Sequence, residues 1–167
     1  MSDSSIPFDS MAQGLRMPWV ITGSMVFSLM MYVLLAHLLG AELQGTISLA
    51  EEQRILIRTV FYIVAIITLP MTNLLRHVMI RLNQTMPGPY SPMRRYLVTV
   101  LVSMAMVETI GLFGLIMFVL GDDFNNLYIF TGMSALGMYL YRPKANEYRS
   151  IVEALTQAEK SDLSANY

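Results

Sequence analysis

Four apolar runs, parted by short polar stretches, order the chain: residues 19–39, 55–75, 97–120 and 127–141. None alternates with the period of a half-buried strand, and all are apolar around the whole turn of a helix, the pattern of a buried or lipid-facing helix. At 1.5 Å per residue, about 20 apolar residues cross the roughly 30 Å hydrocarbon core of a bilayer. The first three runs meet that length, and the fourth approaches it by starting at Phe124. The pattern predicts an all-α integral membrane four-helix bundle, with spans at about 19–39, 55–75, 96–120 and 124–141 in one membrane domain over 18–141.

The polar joints set the expected ends. Residues 1–17 are polar and mildly acidic; they lack the basic start of a signal peptide, and the run behind them is too long for a signal core. Pro18 suits a first helical turn, Trp19 an interfacial anchor and Gly40 a C-terminal stop. Ser48-x-x-Glu51 is a capping-box pattern that opens the second helix near Leu49. Arg58 lies one turn inside that helix and snorkels outward. Pro70 kinks it and frees the carbonyl of Ile66, with Thr72 and Asn73 placed to bond the loosened backbone. Residues 76–95 form a basic loop in which Pro87-Gly88-Pro89 and Pro92 forbid a continuous helix. After the third span Gly121-Asp122-Asp123 turns the chain, and Asp123 or Asn125 caps the fourth. In the tail, 142–167, Tyr148, Ile151, Val152 and Leu155 recur at helical spacing among charges. That is an amphipathic helix that lies on the membrane or docks a partner.

Placing both termini and the loop at 76–95 on one face gathers nine of the 11 Lys and Arg there and leaves Arg54 and Arg58 on the other. The positive-inside rule makes that richer face, both termini and the tail helix cytoplasmic.

Composition agrees with lipid as the solvent: 54% of residues are hydrophobic, 14% are charged and mean hydropathy is +0.50. A net charge of −1 gives no footprint for nucleic acid. Without cysteine there is no disulfide, thiol catalysis or Cys-ligated metal. The 15 methionines are scattered as packing residues, not grouped as a soft-metal site. His37 and His77 fall near opposite faces, too far apart to ligate one haem, and Asp122-Asp123 is too thin for a divalent cation. No nucleophile–base pair and no phosphate loop appears, so the expectation is no enzyme, no cofactor and no metal.

One residue departs from this apolar frame. Glu108 is the sole ionisable side chain of the run 97–120 and sits at its middle. An acid there costs about 2.5–3.5 kcal/mol on insertion scales, so it marks an ion site or a partner for another buried polar group. No Lys or Arg lies at its depth, and unopposed desolvation favours its neutral, protonated form. Met104, Ala105, Gly111 and Leu112 share its face. Gly111 and Gly114 remove bulk beside and beyond it, so that a neighbouring helix comes near. Residues 134–138 fall at about its depth in the fourth span, where Ser134 or the backbone near Gly137 is positioned to hydrogen-bond it.

The string Val107-Glu108-Thr109-Ile110-Gly111-Leu112-Phe113-Gly114-Leu115-Ile116 resembles the carboxyl-bearing helix of the rotary ATPase c subunit, or proteolipid. The order of a basic loop followed by an outward helix with a mid-membrane acid is similar as well. By that resemblance Glu108 matches the carboxylate that carries a proton or sodium ion, and Gly111 and Gly114 match the small residues beyond it. The family's inner helix is glycine-rich, whereas 55–75 here holds no glycine and includes Phe61, Tyr62 and Pro70. The resemblance implies a proton- or cation-binding membrane protein in a homo-oligomer or larger complex. Two other classes fit the same residues: an accessory subunit or scaffold in which Glu108 is structural, and a small proton-coupled exporter.

Overall fold

The structure, a computed structural model, describes residues 8–44, 47, 49–85 and 91–165. Within them the chain is all-α: α1 (Phe8–Leu43), α2 (Glu51–Thr85), α3 (Pro92–Val119), α4 (Phe124–Leu140) and α5 (Ala145–Ala165). The expected Ser48 cap, the Pro87-Gly88-Pro89 segment and residues 1–7 lie outside the described residues.

α1, α2 and α3 are each long and apolar enough to cross a membrane. α4 has 17 residues and rises about 26 Å, short of a full hydrocarbon core. Phe27, Met30 and Leu38 on α1, with Leu56, Ile63, Ile66 and Leu74 on α2, are more than half exposed. Water would not tolerate so continuous an apolar surface, whereas lipid solvates it. The chain is membrane-embedded.

α4, at Phe124–Leu140, and the end of α3, at Val119, fall where the apolar runs place them, while α1, α2 and the start of α3 extend beyond their runs. α1 starts at Phe8, so Pro18 lies inside it instead of at its first turn. Gly14 of this extension receives the ring of Tyr148, and a Cβ at position 14 would come within 2.6 Å of that ring. α2 begins at Glu51, two residues after Leu49, with Glu51 and Glu52 in its first turn, where acids complement the helix dipole. It then continues through Pro70 to Thr85, so Arg76 and Arg81 belong to a helix and not to a loop. Its last turns find partners on other helices. Asn83 Nδ2 donates to Thr99 Oγ1 at 3.0 Å and to the Arg95 carbonyl at 3.2 Å, and Gln84 Nε2 donates to Ser150 Oγ at 3.0 Å. Near Pro70, Thr72 Oγ1 donates to the Thr68 carbonyl and Tyr141 Oη to that of Leu69, both at 2.7 Å, in place of the expected bond at Ile66. α3 starts at Pro92 behind a Ser91 cap, so Arg94 and Arg95 sit in its first turn.

Gly121 joins α3 to α4 at a φ of +88°, the left-handed region that only glycine enters freely. Asp123 occupies the N-cap of α4 without a side-chain bond. Asp122 braces this junction: its Oδ1 accepts the Asp123 N–H at 3.0 Å and its Oδ2 accepts Asn126 Nδ2 at 2.9 Å. It is 4% exposed and pairs with Arg58 at 3.3 Å, so Arg58 is drawn inward to a carboxylate.

α3 is the central post, packed against α1, α2 and α4. Val100, Met104, Val107 and Ile110 are fully buried along it. α5 turns its apolar face to its own bundle. Tyr148 and Ile151 are buried, with Val152 and Leu155 packed beside them, against the ends of α1 and α3. Burial pushes the Tyr148 hydroxyl above its ordinary value. A raised phenol contributes fully below the unfolded value of about 10 and loses its contribution as pH climbs through the folded one. Proteolysis of the tail should therefore accelerate in alkali, and Tyr148→Phe should remove that part of the pH dependence.

Candidate functional site

α3 carries Glu108 to the middle of the bundle, where the carboxyl is half-buried on the side facing α1. Tyr32 of α1 donates its hydroxyl to Glu108 Oε1 at 3.1 Å. Among the described residues this is the bond to the carboxyl, and no cation joins it. A phenol and a carboxyl form a hydrogen bond that survives protonation of the acid, since each group can donate or accept.

Ser134 is close by but plays a different part from the one expected. Its hydroxyl donates to the Val107 carbonyl at 2.8 Å, not to Glu108. The reason is direction: Val107 faces α4 while Glu108, the next residue on the helix, points towards α1. Ser134 thus fixes the backbone one residue before the acid. Gly137 lies on the same side of α4, and a Cβ there would meet Val107 Cγ1 at 2.6 Å.

Gly111 and Gly114 occupy two distinct close approaches. A side chain at 111 would collide with Leu29 of α1 and lie 3.3 Å from Ser134 Oγ. At 114 it would lie 2.9 Å from Phe130 Cβ and 3.1 Å from the Leu127 carbonyl oxygen, against α4. Gly111 therefore lets α1 bring Tyr32 to Glu108, while Gly114 seats α4 one turn further on.

Tyr32 is the residue that inspection of the sequence passed over. It had a signal: a tyrosine near the middle of an apolar run, away from both interfacial belts where tyrosine ordinarily sits.

Two further polar networks lie at the ends of the bundle, apart from Glu108. At one end Tyr62 Oη donates to Asn126 Oδ1 at 2.6 Å, and Asn126 leads to Asp122 and Arg58. At the other, Arg76 is 4% exposed and pairs with Glu147 at 2.6 Å. His37 bonds Tyr128 at 2.8 Å and stacks on Phe124. No group of three His, Cys, Asp or Glu able to hold a metal ion occurs among the described residues.

Compared with known families, curated proteins and solved structures, the chain matches no family model, no curated protein and no structure.

Proposed function

We propose that this is a four-span membrane protein, both termini cytoplasmic, in which Glu108 binds a proton within an oligomer or larger membrane complex. The supporting observation is the mid-helix carboxyl bonded to Tyr32 and to no cation. A proton needs one oxygen and a partner that tolerates both charge states, which Tyr32 is. A metal cation needs several oxygens around it, and beyond Glu108 and Tyr32 a neighbouring subunit would have to supply them. The likeness of residues 107–116 to the proteolipid carboxyl helix supports the same reading. The carboxyl is also half-buried in the single chain, which suits a group that meets a neighbouring subunit.

The bond from Tyr32 supports one other reading, a scaffold in which Glu108 holds α1 to α3. Labelling with a hydrophobic carbodiimide, which attacks protonated carboxyls in apolar surroundings, separates the two with the aid of Glu108→Gln. Glu108 should take the label, while Asp122, paired with Arg58, and the exposed Glu153 should not. Glu108→Gln keeps an acceptor for Tyr32, so it should melt like the parent while losing the label and any proton-coupled activity. A Glu108→Gln protein that keeps full activity in its native membrane would leave the scaffold standing.

A further inference from the structure

A groove between α1 and α4 ends in positive charge at one membrane face only. Two cavities of 580 Å³ and 340 Å³ line up along it and share Val26, Leu29 and Ala135. The larger reaches His37 and Thr131; the smaller ends at Trp19, Tyr139 and Arg142. From Trp19 to His37 the groove follows α1 for about 27 Å, close to a hydrocarbon thickness. Its walls are apolar for nearly the whole way.

At the Trp19 mouth the chemistry changes. Arg142 is exposed and its guanidinium lies 4.6 Å over the Tyr139 ring. Arg16, also exposed, precedes Trp19 by three residues and so shares its face of α1. Neither guanidinium enters an ion pair among the described residues, unlike Arg58, Arg76 and Arg149. Trp19 and Tyr139 are themselves more than half exposed and belong to the side-chain types that settle at headgroup depth. The far end, at His37, has no Lys or Arg in its lining.

We propose that this groove is a binding site for an anionic phospholipid, with the phosphate held between Arg16 and Arg142 and one acyl chain lying along Val26, Leu29 and Ala135. Charge complementarity selects the head, and the apolar length selects a chain over a free phosphate. The site is independent of Glu108, which does not line it.

Trp19 is the chain's single tryptophan and stands in the mouth, so its fluorescence reports occupancy directly. The full-length protein is reconstituted into vesicles with increasing fractions of phosphatidylglycerol or phosphatidylcholine, each brominated high on the acyl chain to quench the indole. The anionic lipid should reach half-quenching at a fraction at least about fivefold lower, the preference one arginine confers at a membrane surface. Arg16→Gln with Arg142→Gln should bring the two curves together. Arg81→Gln removes the same charge from an exposed site on α2 and should leave them apart. Ala135→Phe, which narrows the groove without touching charge, should weaken quenching by both lipids. Equal curves in the parent protein overturn the site, and so does an Arg81→Gln effect as large as that of Arg142→Gln, which would assign the preference to diffuse surface charge. Quenching by neither lipid also overturns it, because a protein helix would then fill the groove.

Discussion

Arg76→Met is expected to destabilise the protein by about 3–5 kcal/mol, the cost of stranding one member of a buried ion pair. Four of the five guanidinium N–H groups are used. Nη1 donates to the Tyr141 carbonyl at 2.7 Å, Nη2 to Glu147 Oε2 at 2.6 Å and to the Arg142 carbonyl at 3.3 Å, and Nε to Glu147 Oε1 at 3.4 Å. The same junction holds Tyr96, whose hydroxyl accepts the Lys144 N–H at 2.7 Å and lies 3.3 Å from Glu147 Oε2. Methionine fills the volume but strips the Arg76 donors from two carbonyls and leaves the Glu147 carboxylate with no cation, only the Tyr96 hydroxyl. The weakened element is α5, so protease cleavage after its residues should accelerate many-fold in Arg76→Met while the membrane helices stay protected. Glu147→Leu added to Arg76→Met should recover part of the loss, since an apolar pair no longer strands a charge. Unchanged proteolysis and unfolding in the single variant would mean that apolar contacts alone hold α5.

Gly114→Val is expected to be the most damaging change within the membrane region, at about 3 kcal/mol, the upper end of what overpacking costs. The atoms its side chain would meet are the Phe130 Cβ and the Leu127 carbonyl oxygen. Neither is the free end of a side chain, so relief requires α4 to move off α3. Gly111→Ala is the informative comparison. Its new methyl meets the tip of Leu29, which can rotate away, so its cost should be the smaller of the two. It should nevertheless disturb Glu108, because shifting Leu29 shifts α1 and with it Tyr32, three residues on. Unfolding in graded denaturant gives the stability order, and carbodiimide labelling of Glu108 gives the local effect. A Gly111→Ala cost above that of Gly114→Val would show that Leu29 has no room to turn.

Sequence reading reached the helical class, the membrane setting and the acid at mid-span, because each depends on local composition. Twenty apolar residues in a row admit few alternatives, and one acid among them stands out at once. The same reading placed the joints poorly. It ended the second helix at Leu75 and opened the third beyond Arg95, since Arg76, Arg81, Arg94 and Arg95 look like loop residues when counted one by one. It placed Asp122 in the turn after the third span but gave it no partner, whereas the carboxylate is buried against Arg58 and Asn126.

Which segments shun water, and where a charge sits along a span, depend on neighbours along the chain and are legible there. Which face each residue turns to which helix comes from the packing of the helices. Val107 and Glu108 are adjacent in sequence yet point to α4 and α1, so Ser134 took the carbonyl and Tyr32 took the acid. The packing also docks the tail on its own bundle, where Tyr148 and Ile151 are buried and Arg76 donates to the Tyr141 carbonyl and to Glu147. Hydropathy measures transfer from water, which is summed residue by residue; hydrogen bonds are directional and depend on the rotation of one helix against the next.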